Sequence, residues 1–249
     1  MSDAGRGVVW SDERLRRELL RRYSGGDMTA SARRLKFHLK RGAWTAVVRG
    51  AHAGKRLLDL VGAAVLLVLL APFLALVALL VRLDSPGPIL FPQTRVGRFG
   101  ALFTMWKFRS MYRDAEQRKA ALLAQNEMAG GVIFKMKDDP RVTRVGRFIR
   151  KGSIDELPQL WNVLKGDMSL VGPRPPVPRE VAEYTLSDRR RLEVTPGITC
   201  IWQVSGRSDI PFPQQVELDV AYIESQSLWL DLVLLLKTVP AVLFSRGAY

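Results

Sequence analysis

The feature that most restricts this chain is the run LVGAAVLLVLLAPFLALVALLV at residues 60–81, which has no charged or strongly polar side chain. As a helix it is about 33 Å long, the thickness of a bilayer's hydrocarbon core. Lys55, Arg56 and Asp59 bound it on one side, Arg82 and Asp84 on the other. It follows a long lead with no small-residue cleavage site after it, unlike a secretory signal. Pro72 removes a backbone hydrogen bond near its middle, so a break is expected at Ala71–Pro72. Residues 33–56 carry eight Lys/Arg and residues 82–113 carry six. Both flanks therefore read as cytoplasmic, which a single crossing does not satisfy. A re-entrant helix fits better, with a kinked crossing helix and a buried core helix as alternatives.

The charge balance is the second constraint. Thirty-eight Lys/Arg against 24 Asp/Glu give +14, a field that attracts nucleic acid, anionic lipid or phosphate-rich substrates. The one cysteine, Cys200, excludes a disulfide scaffold, and two histidines, His38 and His52, argue against a His-based triad or metal site. Residues 1–54 hold twelve of the cations and five acids. Within them Ser11-Asp12-Glu13 reads as a helix start, with Leu15, Leu19 and Tyr23 as an apolar stripe. Leu35, Leu39, Ala43 and Val47 recur at i, i+4 among basic residues, a pattern suited to an anionic membrane surface or to a plain solvated helix.

The length of 249 residues allows one or two domains. The expected division is a basic extension, 1–54, and a main domain, 55–249, containing the apolar helix at 57–82. Residues 111–128 read as a polar helix, and Val132–Lys137 as a short strand before an Asp138-Asp139-Pro140 turn. Arg-Val-Gly-Arg-Phe occurs at 95–99 and again at 144–148, too little for a repeat protein. Leu228–Phe244 is apolar but includes Asp231, Lys237 and Pro240, which suits a packed or interfacial helix.

The densest chemistry lies at Ser153-Ile154-Asp155-Glu156-Leu157-Pro158-Gln159. Ser153 and Glu156 have capping-box spacing, and acids favour a helix's first turn, so a structural role competes with a catalytic one. In the catalytic alternative the two carboxylates have separate jobs, one attacking phosphorus and one holding a divalent cation. Arg147, Arg150, Lys151 and Arg174 are nearby in sequence, and guanidinium groups grip phosphate bidentately. Lys107 and Arg109 also suit interfacial snorkelling, and Asp167 suits a turn.

Taken in order, the Pro-containing apolar helix, Lys107-Phe108-Arg109-Ser110-Met111, the Asp155-Glu156 segment, Lys165-Gly166-Asp167-Met168-Ser169-Leu170-Val171-Gly172-Pro173-Arg174-Pro175 and Thr195-Pro196-Gly197-Ile198 resemble the bacterial sugar transferase family. These are monotopic polyprenyl-phosphate phosphoglycosyl transferases. The resemblance implies an α+β, mostly helical, membrane-associated catalytic domain with a Pro-broken re-entrant helix and amphipathic interfacial helices. It implies a UDP-sugar donor, undecaprenyl phosphate as acceptor, Mg²⁺, membrane lipid contact and residence on the cytoplasmic face of the bacterial inner membrane, and it allows a homodimer. Asp155 would be the nucleophile that forms an aspartyl-phosphosugar, Glu156 would bind Mg²⁺, and Arg150, Arg174, Lys107 and Asp167 would contact substrate. Trp202–Arg207 and Ser245–Tyr249 resemble the hexose-transferring branch used in exopolysaccharide and O-antigen synthesis, which favours glucose or galactose and adds Arg207 as a donor contact.

Two departures stand out. Ala71 replaces the serine that often precedes the helix-breaking proline, and Cys200 occupies a common glycine position. A non-catalytic scaffold and a membrane-tethered nucleic-acid binder are the competing readings. The first leaves Asp155 and Glu156 as caps; the second lacks any recognisable nucleic-acid module.

Overall fold

The apolar run lies inside one long helix, α1 (Ala30–Asp84), in a computed structural model that describes residue 17 and residues 30–115, 117, 139–206 and 209–243. The expected helix start at 11–13, the strand at 132–137, most of the polar helix at 111–128, Arg207 and residues 245–249 fall outside the described residues. The chain divides into two compact units, Met1–Gly50 and Ala51–Tyr249. Among the described residues, α1 is the one helix long and apolar enough to cross a membrane. Helix continues on both sides of Ala71–Pro72, so the proline does not terminate it.

Within the second unit one narrow stripe of α1 turns inward. Asp59, Ala63, Val77 and Val81 are buried, and Leu67, Leu70 and Leu74 are half-buried. Their three- and four-residue spacing marks a single helical face. The other faces expose Val65, Leu66, Val68, Leu69, Leu76, Leu79 and Leu80. Such a helix suits a solvent that is itself apolar.

Polar clips fasten both ends of the run to the same unit. Lys55 Nζ donates to Asp231 Oδ2 (2.7 Å) and to the Val171 carbonyl (2.9 Å), and Arg56 donates to the carbonyls of Val163 and Leu164. Asp59 Oδ1 accepts from Ser169 Oγ and from the Leu170 amide, both at 2.9 Å. At the far end Asp84 accepts from the Val145 amide, and Arg109 donates to the carbonyls of Val81 and Ser85.

After α1 the chain forms an antiparallel hairpin, β1 (Leu90–Val96) and β2 (Leu102–Phe108), with Leu90 opposite Phe108. Next come α2 (Arg144–Lys151), capped by Thr143 Oγ1 on the Gly146 amide, and α3 (Gln159–Lys165). β3 (Ser169–Val171) pairs in parallel with β4 (Gly197–Thr199), and α4 (Pro178–Ala182) lies between them in sequence. α5 (Ile201–Ser205), α6 (Phe212–Ser225) and α7 (Leu228–Leu243) complete the described chain. The architecture is mostly helical α+β. One core joins Ala63 to Met105, Leu160, Val163, Leu170, Tyr222 and Leu234; a smaller one joins Val77 and Val81 to Phe108 and Ile149. α7 buries Asp231 and Leu234 and exposes Leu228, Trp229, Leu232, Leu236 and Val239, as expected of an interfacial or packed helix.

Candidate active site

The Ser153–Gln159 segment does not begin a capped α-helix. Ser153 adopts the left-handed conformation (φ 52°, ψ 22°) and its side chain makes no capping bond. Ile154–Glu156 form a single 3-10 turn, and α3 begins only at Gln159. A non-glycine residue held at positive φ is strained, and such strain concentrates at functional sites. Glu156, which the capping box would turn back to the Ser153 amide, points elsewhere.

Its partners come from two distant segments. Lys107 Nζ, from β2, donates to Glu156 Oε1 at 2.6 Å, and Arg174 Nη1, just beyond β3, donates to the same oxygen at 3.1 Å. Burial opposes ionisation of Glu156, but the Lys107 ammonium and the Arg174 guanidinium outweigh it and hold the carboxyl well below its usual range. Asp155 beside it is buried and accepts no hydrogen bond from any described residue. Burial pushes its carboxyl up to about 6, with the neighbouring Glu156 charge acting in the same direction against the pull of Lys107. Two adjacent carboxylates thus have opposite electrostatic characters, the usual arrangement where one must react and the other must stay charged.

Both line a cavity of about 1020 Å³, together with Lys107, Arg150, Arg174 and Arg95. Its size suits a ligand larger than a simple sugar. Arg150 reaches it from the last turn of α2. That helix can sit close because Gly146 packs directly under Ser110; an added Cβ would lie 2.0 Å from the Ser110 carbonyl oxygen. The Arg174 loop is fixed by Arg95, which donates to the Pro175 carbonyl at 2.8 Å, and by the Val96 amide on the Pro176 carbonyl at 2.9 Å. Gly172 and Gly197 let this loop and β4 approach closely; a Cβ on Gly197 would lie 2.0 Å from the Gly172 nitrogen.

The fold therefore assembles Lys107, Arg150, Asp155, Glu156 and Arg174 around one cavity. Asp167 is not among them. Its carboxylate is held by Lys165 (2.9 Å) and by Asn162 Nδ2 (3.1 Å) in the turn after α3, where Asn162 also binds the backbone of Thr104 and Trp106. The structure gives it the turn role that its sequence context allowed. Arg207 lies outside the described residues. Sequence reasoning missed Arg95, whose signal was the first of the two Arg-Val-Gly-Arg-Phe segments. It also missed Tyr184 and Arg191, which line the cavity together with Trp202 of the quoted Trp202–Arg207 motif; Arg191 pairs with buried Asp219 at 2.6 Å.

Comparison with known proteins gives this geometry a lineage. Residues 50–245 match the bacterial sugar transferase family, and the chain belongs to it. It is similar to a galactosyl transferase, CpsE, of Streptococcus agalactiae, with 50% identity over 78% of this chain and 43% of that protein. An undecaprenyl-phosphate galactose phosphotransferase of Salmonella typhimurium is 45% identical over 78% of this chain and 41% of its own length. A UDP-glucose:undecaprenyl-phosphate glucose-1-phosphate transferase of Caulobacter vibrioides is 43% identical over 78% of this chain and 72% of its own. The chain thus spans about two-fifths of the first two relatives.

Proposed function

We propose that this protein transfers a hexose 1-phosphate from a UDP-sugar to undecaprenyl phosphate at the cytoplasmic face of the bacterial inner membrane, starting an exopolysaccharide or O-antigen type glycan. The observation that carries the reading is the Asp155–Glu156 pair on the wall of a cation-lined cavity, in a chain whose relatives bear the names above.

Asp155 is the nucleophile. Its carboxylate, with no hydrogen bond to relinquish, attacks the sugar-bearing phosphorus of the donor. An Asp155 Oδ–phosphorus bond forms as the bond to the bridging oxygen breaks, and UMP leaves with that oxygen and its electron pair. A phosphate oxygen of the polyprenyl phosphate then attacks the same phosphorus. The Asp155–phosphorus bond breaks, the carboxylate is restored, and polyprenyl-diphospho-hexose departs. Arg150 and Arg174 hold phosphate oxygens through both steps, and Lys107 keeps Glu156 ionised and oriented.

The donor set fits Mg²⁺. Both cationic contacts of Glu156 use Oε1, and Asp155 offers a buried carboxylate free of hydrogen bonds. Mg²⁺ is commonly bound through one or two carboxylates plus substrate phosphates. Glu156 would hold it, and when bound it supplies Lewis-acid neutralisation of the diphosphate charge.

Re-entry of α1 is supported by its clips. Lys55, Arg56 and Asp59 before the run, and Val81 and Asp84 at its end, all bind the same unit. Ends tied to one body favour their lying on the same face of the bilayer.

The test is UMP release from a panel of UDP-sugars with undecaprenyl phosphate and Mg²⁺. Release with UDP-glucose or UDP-galactose, abolished by Asp155→Asn, is the expected result. Release that survives the substitution removes Asp155 as nucleophile.

A further inference from the structure

Residues 30–50 lie ahead of the family match save for its first residue, Gly50, and the chemistry above uses none of them. They carry six Lys/Arg and no Asp/Glu, and they are helical. Phe37, Lys40, Arg41 and Trp44 have the i, i+3, i+4, i+7 spacing of one helix face. Phe37 and Trp44 are 63% and 71% exposed. Beside them runs a shallow groove bordered by His38, Arg41, Thr45 and Arg49, with small Gly42 and Ala46 along it.

Two liabilities meet on this surface. Two large rings stand in water, and the cations beside them have no ion pair among the described residues. An anionic headgroup layer relieves both: rings seat at the acyl boundary while Lys and Arg stems reach phosphates. Chain continuity favours this occupant over any other polyanion. Only nine residues, 51–59, separate residue 50 from the apolar run at residue 60. Even fully extended, the chain from residue 50 to residue 60 reaches about 36 Å, so once that run is inserted the helix meets lipid at high effective concentration.

We propose that residues 30–50 dock on anionic phospholipid through the Phe37–Lys40–Arg41–Trp44 face. This is independent of the catalytic reading. The test uses the full chain with Cys200→Ser and one cysteine at a time, from Phe37→Cys, Trp44→Cys, Leu39→Cys or Val68→Cys. Each variant carries a fluorophore in nanodiscs of phosphatidylcholine, with or without phosphatidylglycerol. Labels at 37 and 44 should be quenched by shallow spin-labelled lipids in the anionic discs, and released at high salt. Leu39→Cys lies on the opposite face, where the Leu35–Leu39 stripe read from the sequence is also exposed; it should escape quenching because the cations cluster around Phe37 and Trp44, and Val68→Cys should be quenched in every disc. Adding Lys40→Glu with Arg41→Glu should return the label at 44 to its level in phosphatidylcholine. The proposal is overturned if position 44 stays unquenched in anionic discs while 68 is quenched, or if position 39 responds in its place. Protection of position 44 by duplex DNA but not by phosphatidylglycerol would assign a nucleic-acid partner instead.

Discussion

Asp155 sits where its own charge is least welcome. An ordinary Asp carboxyl titrates at 3.8, and here burial raises it to about 6. Because the folded value exceeds the unfolded one, its contribution to stability is complete below about pH 4 and is lost as pH rises through 6. Asp155→Asn should therefore stabilise the fold above pH 6, by up to about 3 kcal/mol, and the gain should shrink to nothing toward pH 4. Thermal melts across that range measure it. In parallel, the proposed nucleophilic role requires an ionised carboxylate, so the UMP burst without acceptor should rise with pH through about 6. Glu156 presents the opposite case. Lys107→Met would leave it half-buried with Arg174 as its remaining partner, so the cost should fall below the roughly 3–5 kcal/mol of a buried charge left unpaired. The expected result is a lowered denaturation midpoint together with a fall in kcat.

At the scale of elements, the side chains around the cavity hang from segments that close backbone approaches hold in register. Gly197→Ala would drive a methyl into the Gly172 backbone. Overpacking of this kind costs about 1–3 kcal/mol, and the displaced Gly172–Pro175 segment should weaken donor binding, read as a raised KM for the UDP-sugar. The β1–β2 hairpin shows why some elements were hard to read. Its second strand, Leu102–Phe108, alternates weakly because Phe103, Met105 and Trp106 are all apolar and Lys107 points into a buried ion pair. A lysine among aromatics reads as a snorkeling surface residue until its partner, 49 positions away, is known. The Ser153–Glu156 spacing misled in the same way: it matches a capping box, yet the tertiary cations capture Glu156 and the α-helix starts later.

For the whole molecule, the decisive prediction concerns sidedness. Cysteines introduced at the exposed positions Leu57→Cys and Leu83→Cys should both react with a membrane-impermeant maleimide from the cytoplasmic side, and neither from the periplasm. Opposite labelling would make α1 a spanning helix. Asp59 offers a second reading of the same coupling. Asp59→Ala would leave the Ser169 hydroxyl and the Leu170 amide buried without their acceptor, costing about 1–3 kcal/mol. Asp59→Asn, which keeps an acceptor oxygen, should cost less by chemical denaturation.

By itself the sequence determined the long apolar helix, the basic character, the family resemblance and five of the residues around the cavity. Hydrophobic length, net charge and ordered motifs are local properties that need no partner to be recognised. Only the tertiary structure decided which carboxylate is destabilised and which is held charged, that Asp167 belongs to a turn, and that Arg95 anchors the Arg174 loop. Those outcomes depend on burial and on cations brought from β1, β2 and the segment after β3. Adjacent acids in a sequence look alike until the fold gives one a salt bridge and the other none.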